Sequence, residues 1–416
     1  MTTDFAAGYV DSDGHRTGTD LTLKSGRLST SVLLGADPLV TDVAFSARDF
    51  GAAGFYGNYP AFEETRTTTA TTRWRLRHGS TGSVDPVFFF RQNSDDFVLN
   101  RDNPALYQNH HKTNQVGGDV IGRTALASGS VAAGLHASRE ALTSSSLGDR
   151  SEWSAGASAE FAAGSVSGAS VTAGLRGDRL SSGDFALSPS IAGAWNTESW
   201  LRFRASAGKA FRAPTWTERY YRDPSNIGNP DLTYESAWTF DGGVDLDLGE
   251  VSSSLTGWVR SAHDLIDWAR PADDSSIPYE TRNVENATFR GIEARVGLND
   301  VAGFSVGVKG DWLNVTTSAV DGFVSKNALR PLTQNLSLSI DRRLRSFSGG
   351  FHLTQQRRTG ESPYLLGDAR LSFHARDFTL HVDGRNLGDE LYRDITMNPA
   401  AGRSITIGLD WVRDIH

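Results

Sequence analysis

Two adjacent histidines, His110 and His111 in QNHHKT, invite a reading as metal ligands. Neighbouring residues on a strand point to opposite faces, so the pair cannot converge on one ion, and it reads as a loop feature. His352, His374 and His381 fall on the polar phase of alternating segments, and no Gly-x-Ser-x-Gly elbow accompanies them. That argues against a hydrolase acting on lipid, which needs a nucleophile, a base and an orienting group together. DSDG at 11–14 resembles the start of a calcium loop but lacks the rest of its spacing. The acids of DSDGH and PADDSS could hold calcium in surface loops; no other metal or cofactor is expected. The absence of cysteine excludes disulfides, thiol catalysis and Cys-based zinc sites. The densest cluster of distinctive groups is RYYRDPSNIGNPDLTYE at 219–235. With residues just before it and with GFYGNY, it yields Phe55, Tyr56, Tyr59, Trp216, Tyr220, Tyr221, Arg222 and Asn226 as candidate ligand contacts. Aromatic and amide groups suit a large amphipathic ligand; the competing role for each is to stiffen its own loop.

The segments that must position these residues alternate with period two. In WLRFRASAGKAF, Leu201, Phe203, Ala205 and Ala207 alternate with Arg202, Arg204, Ser206 and Gly208; SITIGLDWV sets Ile405, Ile407, Leu409 and Trp411 against Thr406 and Asp410. Each strand therefore has one apolar and one charged face. Short turns are expected near 37, 80, 129, 165, 197, 249, 300, 345 and 377. Longer connections are expected at 12–18, 48–62, 100–112, 144–151, 180–185, 213–233, 270–279, 317–328, 357–364 and 394–402. Strict alternation of short and long connections is the layout of an outer-membrane barrel and has no reason to arise in a Greek-key sandwich. The fold expected is all-β: a transmembrane antiparallel up-and-down barrel of about 20 strands, in one domain over 1–416, each strand able to supply the about 9–11 residues a bilayer requires. Trp200, Trp238, Trp268, Trp312, Tyr392 and Trp411 fit interfacial girdles.

Composition agrees with a wet interior. Hydrophobic residues make up only 38% of the chain, glycine is plentiful at 43, and aromatics reach 10%. The net charge of −8 offers no basic excess for nucleic acid. No run of 18 apolar residues suggests a transmembrane helix, and MTTDFAAGYVDSDG lacks the charged start and apolar core of a signal peptide. The partner expected from this pattern is outer-membrane lipid. The inner wall is expected to carry Arg202, Arg204, Asp241, Asp245, Asp247, Lys309, Asp311, Arg370 and Asp383, both signs together, hence little ion selectivity.

Several segments resemble the TonB-dependent outer-membrane receptors, above all their cobalamin-transporting branch. ASAGKAFRAPTWTERYYRDPSNIGNPDLTYESAW is similar to a strand, loop and return strand of those proteins, through Ala213, Pro214, Asn229, Pro230, Leu232 and Glu235. NVENATFRGIEARVG resembles the return of the next hairpin, through Asn283 or Asn286, Gly291 and Glu293. DGRNLGDELYRD and AAGRSITIGLDWV resemble the closing hairpin, through Asn386, Leu387, Asp389, Tyr392, Gly402, Arg403 and Gly408. RDFGAAGFYGNYPAFEETRT resembles an external loop. The resemblance implies a receptor for a scarce nutrient such as a corrinoid or siderophore, gripped by external loops and a plug. It also implies a barrel of 22 strands. No plug or TonB-contacting segment is recognisable, and TTDFAAGYVDSDGHR matches a third strand, so the plug and first two strands are expected to be absent from this chain. The TonB system is then a partner only if a plug is supplied elsewhere. The alternatives are a plugless passive pore and, further off, a lipid hydrolase in the barrel wall. Trp411 is followed by VRDIH, where the family's strand ends on an aromatic.

Overall fold

The computed structural model describes residues 1–79, 81–166, 168–319, 322–326, 331–393 and 398–412. The expected turn near 80, parts of the connections at 317–328 and 394–402, and residues 413–416 of the C-terminal VRDIH therefore lie outside the described residues.

In chain order the strands are β1 (Thr2–Ser12), β2 (Leu21–Leu34), β3 (Asp37–Gly51), β4 (Phe62–Trp74), β5 (Leu76–His78), β6 (Gly82–Val98), β7 (Gln108–Leu126) and β8 (Gly129–Ser144). Then follow β9 (Arg150–Val166), β10 (Ala169–Leu180), β11 (Phe185–Glu198), β12 (Leu201–Arg212), β13 (Arg222–Asp223), β14 (Asn226–Ile227), β15 (Glu235–Asp247) and β16 (Val251–Pro271). The last are β17 (Tyr279–Val301), β18 (Phe304–Ala319), β19 (Phe323–Ser325), β20 (Leu332–Leu344), β21 (Phe347–Arg358), β22 (Tyr364–Ala375), β23 (Phe378–Arg385) and β24 (Ser404–Trp411). All belong to one sheet. Four are fragments of two or three residues; β5 continues β4 and the other three decorate loops, which leaves twenty wall strands, as the pattern of the sequence predicts.

Every wall strand pairs antiparallel with the next, and the short connections fall where expected, for example at 35–36, 127–128, 345–346 and 376–377. Arg345 and Arg376 turn there with φ of 51° and 48°, the left-handed backbone whose twist matches that of tight hairpins. Across the sheet the two faces differ as the alternation requires. Phe88, Leu135, Leu175, Ile292, Leu371 and Ile407 stand 49–72% exposed on one side. Among the described residues the buried apolar ones are mostly alanines, and the largest fully buried side chain is only a threonine, Thr281. A chain of this length with so thin a core keeps its apolar surface for an apolar solvent.

The sheet curls until its ends approach. His15, in the connection after β1, lies with its Nε2 3.2 Å from the carbonyl oxygen of Pro399, before β24. Below that contact, β1 pairs with β2 alone and β24 with β23 alone among the described residues. β1 is exposed along its entire length.

Two of the expected girdle aromatics sit elsewhere. Trp268 packs edge-on against Tyr221, with ring centroids 6.4 Å apart. Tyr392 stacks on Tyr364 at 4.9 Å, inside the last long connection. Both lie beyond the apolar band, because the strand or loop that carries them continues past it. Trp312 and Trp411 remain on the apolar face, 46% and 59% exposed.

Candidate functional site

The connection 213–234 is the largest structure at the long-loop end. It is built to hold a fixed shape. Thr215 caps a one-turn helix, α1 (Trp216–Tyr220), through a reciprocal pair of bonds with Glu218, the capping-box solution to orphan backbone donors. The sequence, rich in turn formers, gives no period from which so short a helix could be expected. Arg212, at the end of β12, donates to Glu218 at 2.9 Å and to Glu235 at 2.6 Å. Asp223 closes the β13–β14 hairpin by accepting from the Ser225 amide at 2.6 Å and from the Asn226 amide group at 2.8 Å. The buried hydroxyl of Thr281 donates to the Glu218 carbonyl at 2.6 Å and accepts from the Asn229 amide at 2.8 Å. One threonine on β17 thus pins both arms of the loop.

From these anchors the loop reaches over the enclosed side of the sheet. Trp216 Nε1 donates to Glu140 of β8 at 2.7 Å, Arg219 pairs with Glu152 of β9 at 2.5 Å, and Arg150 lies 4.0 Å over the Tyr220 ring. These wall residues share the polar phase of their strands, which identifies that face as the inner one. Burial alone would raise the Glu218 pKa. The bonds from Arg212 and from the backbone and hydroxyl of Thr215 outweigh it and hold the carboxyl below its ordinary value near 4.5. The loop therefore keeps the full stabilisation from this group above about pH 4.5 and loses it as pH falls through the depressed folded value. The expected result is a reversible rise in acrylamide quenching of Trp216 below pH 4.5, read against Trp216→Phe, with the wall strands unchanged by circular dichroism.

Sequence reasoning grouped eight loop residues; the structure divides them. Phe55 and Tyr56 pack edge-on at 4.7 Å, and Tyr56 packs at 4.7 Å on Phe97 of β6. Phe97 meets Tyr107 at 6.2 Å, and Tyr107 is hydrogen-bonded to Tyr221, whose hydroxyl pKa is pushed up by burial and by that bond. Tyr221 meets Trp268, and the Lys326 ammonium stands 5.8 Å over Trp268 and 5.9 Å from Tyr279. The result is a continuous aromatic strip, closed by a cation, across four connections of the mouth. Trp216 and Tyr220 form a separate pair, 6.1 Å apart, held against β8 and β9. Tyr59 stands apart and 44% exposed. Arg222 is exposed, whereas Asn226 is buried, its amide donating to Asp223 and its oxygen accepting from Lys326 at 2.6 Å. Phe97, Tyr107, Tyr279 and Lys326 escaped sequence reasoning, and Trp268 was expected only in a girdle, because they lie on strand ends or in other loops, outside the turn-rich stretch.

The charged inner-wall residues are largely paired. Arg204 donates to Asp245 at 3.1 Å, Lys309 lies 2.8 Å from Asp311, and Arg370 Nη2 donates to Asp383 at 2.8 Å. Asp241 accepts from Ser206, and Arg202 stands opposite Asp245 across the ladder. Asp247 accepts from the Gly249 amide at 3.1 Å and so closes a short turn. His110 and His111 lie within β7 and not in a loop, one bonded to Asp96 at 2.6 Å and the other to Ser144 at 2.8 Å, on opposite faces. Among the described residues no group of three or more His, Asp or Glu is placed to hold a metal ion.

The family described as TonB dependent receptor-like, beta-barrel, matches residues 4–387. The chain belongs to that family. Barrels of TonB-dependent receptors are bacterial outer-membrane structures, so the exposed apolar face is the lipid face and the long connections are external. A curated relative, the vitamin B12 transporter BtuB of Vibrio vulnificus, is 25% identical over 52% of this chain and 35% of its own length. BtuB of Photobacterium profundum is 32% identical over 26% of this chain and 18% of its own length. The matches thus span about a third or less of those relatives. Among solved structures, the copper transporter OprC has a TM-score of 0.83 at 12% identity, covering 98% of this chain and 75% of OprC. The FrpB iron transporter of Neisseria meningitidis has a TM-score of 0.79 at 13% identity, covering 98% of this chain and 77% of its own. At such identities the likeness shows the barrel fold alone and nothing about cargo.

Proposed function

We propose that this barrel forms the wall of an outer-membrane uptake receptor for a scarce, bulky, amphipathic nutrient of the corrinoid or siderophore class. The observation that carries the reading is the aromatic strip from Phe55 to Tyr279. Ring faces along a rigid rim bind large partly apolar ligands at low entropic cost, while Lys326 and exposed Arg222 supply charge for acidic substituents. The relatives' names span vitamin B12, iron and copper; among these, extended aromatic surface favours an organic carrier over a bare ion, whose ligands would be clustered hard or soft donors. Engagement of TonB belongs to this reading only with a plug domain in place.

A second reading, a passive pore, is supported by the paired charges of the inner wall, which leave no single sign to select ions. The two separate in a planar bilayer holding the refolded chain. Under the receptor reading, cyanocobalamin or a ferric siderophore blocks the current, and Tyr221→Ala with Trp268→Ala weakens the block by about 100-fold, at roughly 1–3 kcal/mol per stacked ring. Steady current indifferent to both ligands sinks the receptor reading and leaves the pore.

A further inference from the structure

Many cations of the inner wall have a carboxylate partner. Inside, Arg75 and Arg123 share Asp85, Arg176 pairs with Asp178, and Arg204 with Asp245. Outside, Arg139 of β8 and Arg179 of β10 make no hydrogen bond or ion pair among the described residues. Their outward direction follows from register. Arg139 lies directly opposite Trp153 and Arg179 directly opposite Phe185, and these two aromatics are 49% and 56% exposed on the lipid face. Glu140 and Asp178, their chain neighbours, point inward to Trp216 and Arg176.

The level follows from the aromatics. Along β9, Trp153 and Phe161 are eight residues apart on the lipid face, roughly 27 Å along the strand at about 3.4 Å per residue. Phe161, Trp195 and Phe203 mark the end near the short turns; Trp153 and Phe185 mark the end near the external loops. Arg139 and Arg179 lie at that external boundary, flanking β9, roughly 12 Å apart by strand spacing and a two-residue offset. Two long, unpaired guanidinium groups thus flank an exposed indole on that face. An uncompensated pair of cations at an apolar boundary calls for a counter-charge, and the bilayer supplies one at that depth: lipid phosphate.

We propose that Arg139, Trp153, Arg179 and Phe185 form a docking site for an anionic, phosphate-bearing lipid of the outer leaflet. The arginines hold the phosphate, and the rings pack on the adjoining glycerol or sugar and acyl chains. The site lies on the wall behind Glu140 and Glu152, which anchor the external loop, and it is independent of the ligand proposal.

The test uses the full chain refolded into phosphatidylcholine vesicles with about 20% phosphatidylglycerol, then extracted in detergent, with bound lipid measured by mass spectrometry. The expected result is selective retention of phosphatidylglycerol, reduced ~25-fold in R139Q/R179Q, at a factor of about five per surface cation. Lys24→Gln with Arg290→Gln, outward cations elsewhere on the wall, serves as control and is expected to retain it. Equal retention by R139Q/R179Q, or equal retention of phosphatidylcholine, overturns the proposal. Displacement of the lipid by millimolar inorganic phosphate also overturns it, because the site would then be one for a free anion. The heat-dependent mobility shift of folded barrels on gels confirms that each variant is folded before lipid is counted.

Discussion

Gly228→Val is expected to unseat the external loop while leaving the barrel folded. A Cβ at this position would lie 2.8 Å from the carbonyl carbon of Arg219 and from the amide nitrogen of Tyr220, and 2.9 Å from that of Tyr221. All three are backbone atoms of α1 and its end, so no side chain can rotate aside. The Gly228 amide also donates to the Tyr221 carbonyl at 2.7 Å, which is why the strands of the loop approach so closely. Overpacking of this kind costs about 1–3 kcal/mol, and a valine exceeds the alanine case. The loop holds no sheet ladder of comparable length, so the cost falls on its attachment through Thr281. The expected outcome is loss of the Trp216–Glu140 bond, a red-shifted Trp216 emission and rapid proteolysis between 213 and 234, with little change in the melting of the wall. Thr281→Val reaches the same state from the other side by removing the hydroxyl that bridges both arms. If Gly228→Val melts the entire barrel early, the loop is part of the fold's core and not an attachment to it.

Asp85→Leu is expected to produce the larger loss of global stability. Asp85 is 3% exposed and accepts from Arg75 Nε at 3.3 Å and from Arg123 Nη1 at 2.6 Å, across three neighbouring strands near the short-turn end. Leucine leaves two guanidinium groups facing each other with the anion between them gone. Breaking a fully buried ion pair costs about 3–5 kcal/mol. Both arginines are about half exposed, so screening reduces the expected figure to roughly 2 kcal/mol. It is measured as a shift in the urea midpoint of the barrel in lipid vesicles. Asp85→Asn, which keeps the shape and one acceptor, should fall between leucine and the natural residue. An unchanged midpoint for both variants would mean that water replaces the carboxylate at no cost.

The wall was legible because lipid leaves so few solutions. A strand bathed by lipid on one face and water on the other must alternate, and alternation of short and long connections then fixes the handing of ends. The mouth was legible only in part. Tyr56 and Tyr221 lie in turn-rich stretches and stand out. Trp268 and Tyr279 lie on β16 and β17, which run for 21 and 23 residues, about twice what a bilayer needs. Period two continues unbroken past the membrane, so sequence does not mark where the membrane stops and the rim begins. Residues carrying the family resemblance proved informative in another way. Asn386 turns with a φ of 47° and donates to the Glu390 and Ala401 carbonyls, while Asp389 accepts from the Arg403 amide. Asn283 bonds the Thr233 and Asp264 carbonyls, at 3.1 and 2.8 Å. These motif positions shape loops, so they identify the architecture and leave the cargo to the rings between them.

The seam obeys a rule of parity. β1 runs toward the external loops and β24 runs away from them, so the two edges are already antiparallel. Direct pairing, or an inserted hairpin, preserves the alternation of directions all the way round. A single added strand cannot, since it must lie parallel to one of its neighbours, where the hydrogen bonds slant and the pairing is slightly less stable per residue. With His15 and Pro399 in hydrogen-bond contact at the rim, a wall that keeps every pair antiparallel can widen only in steps of two.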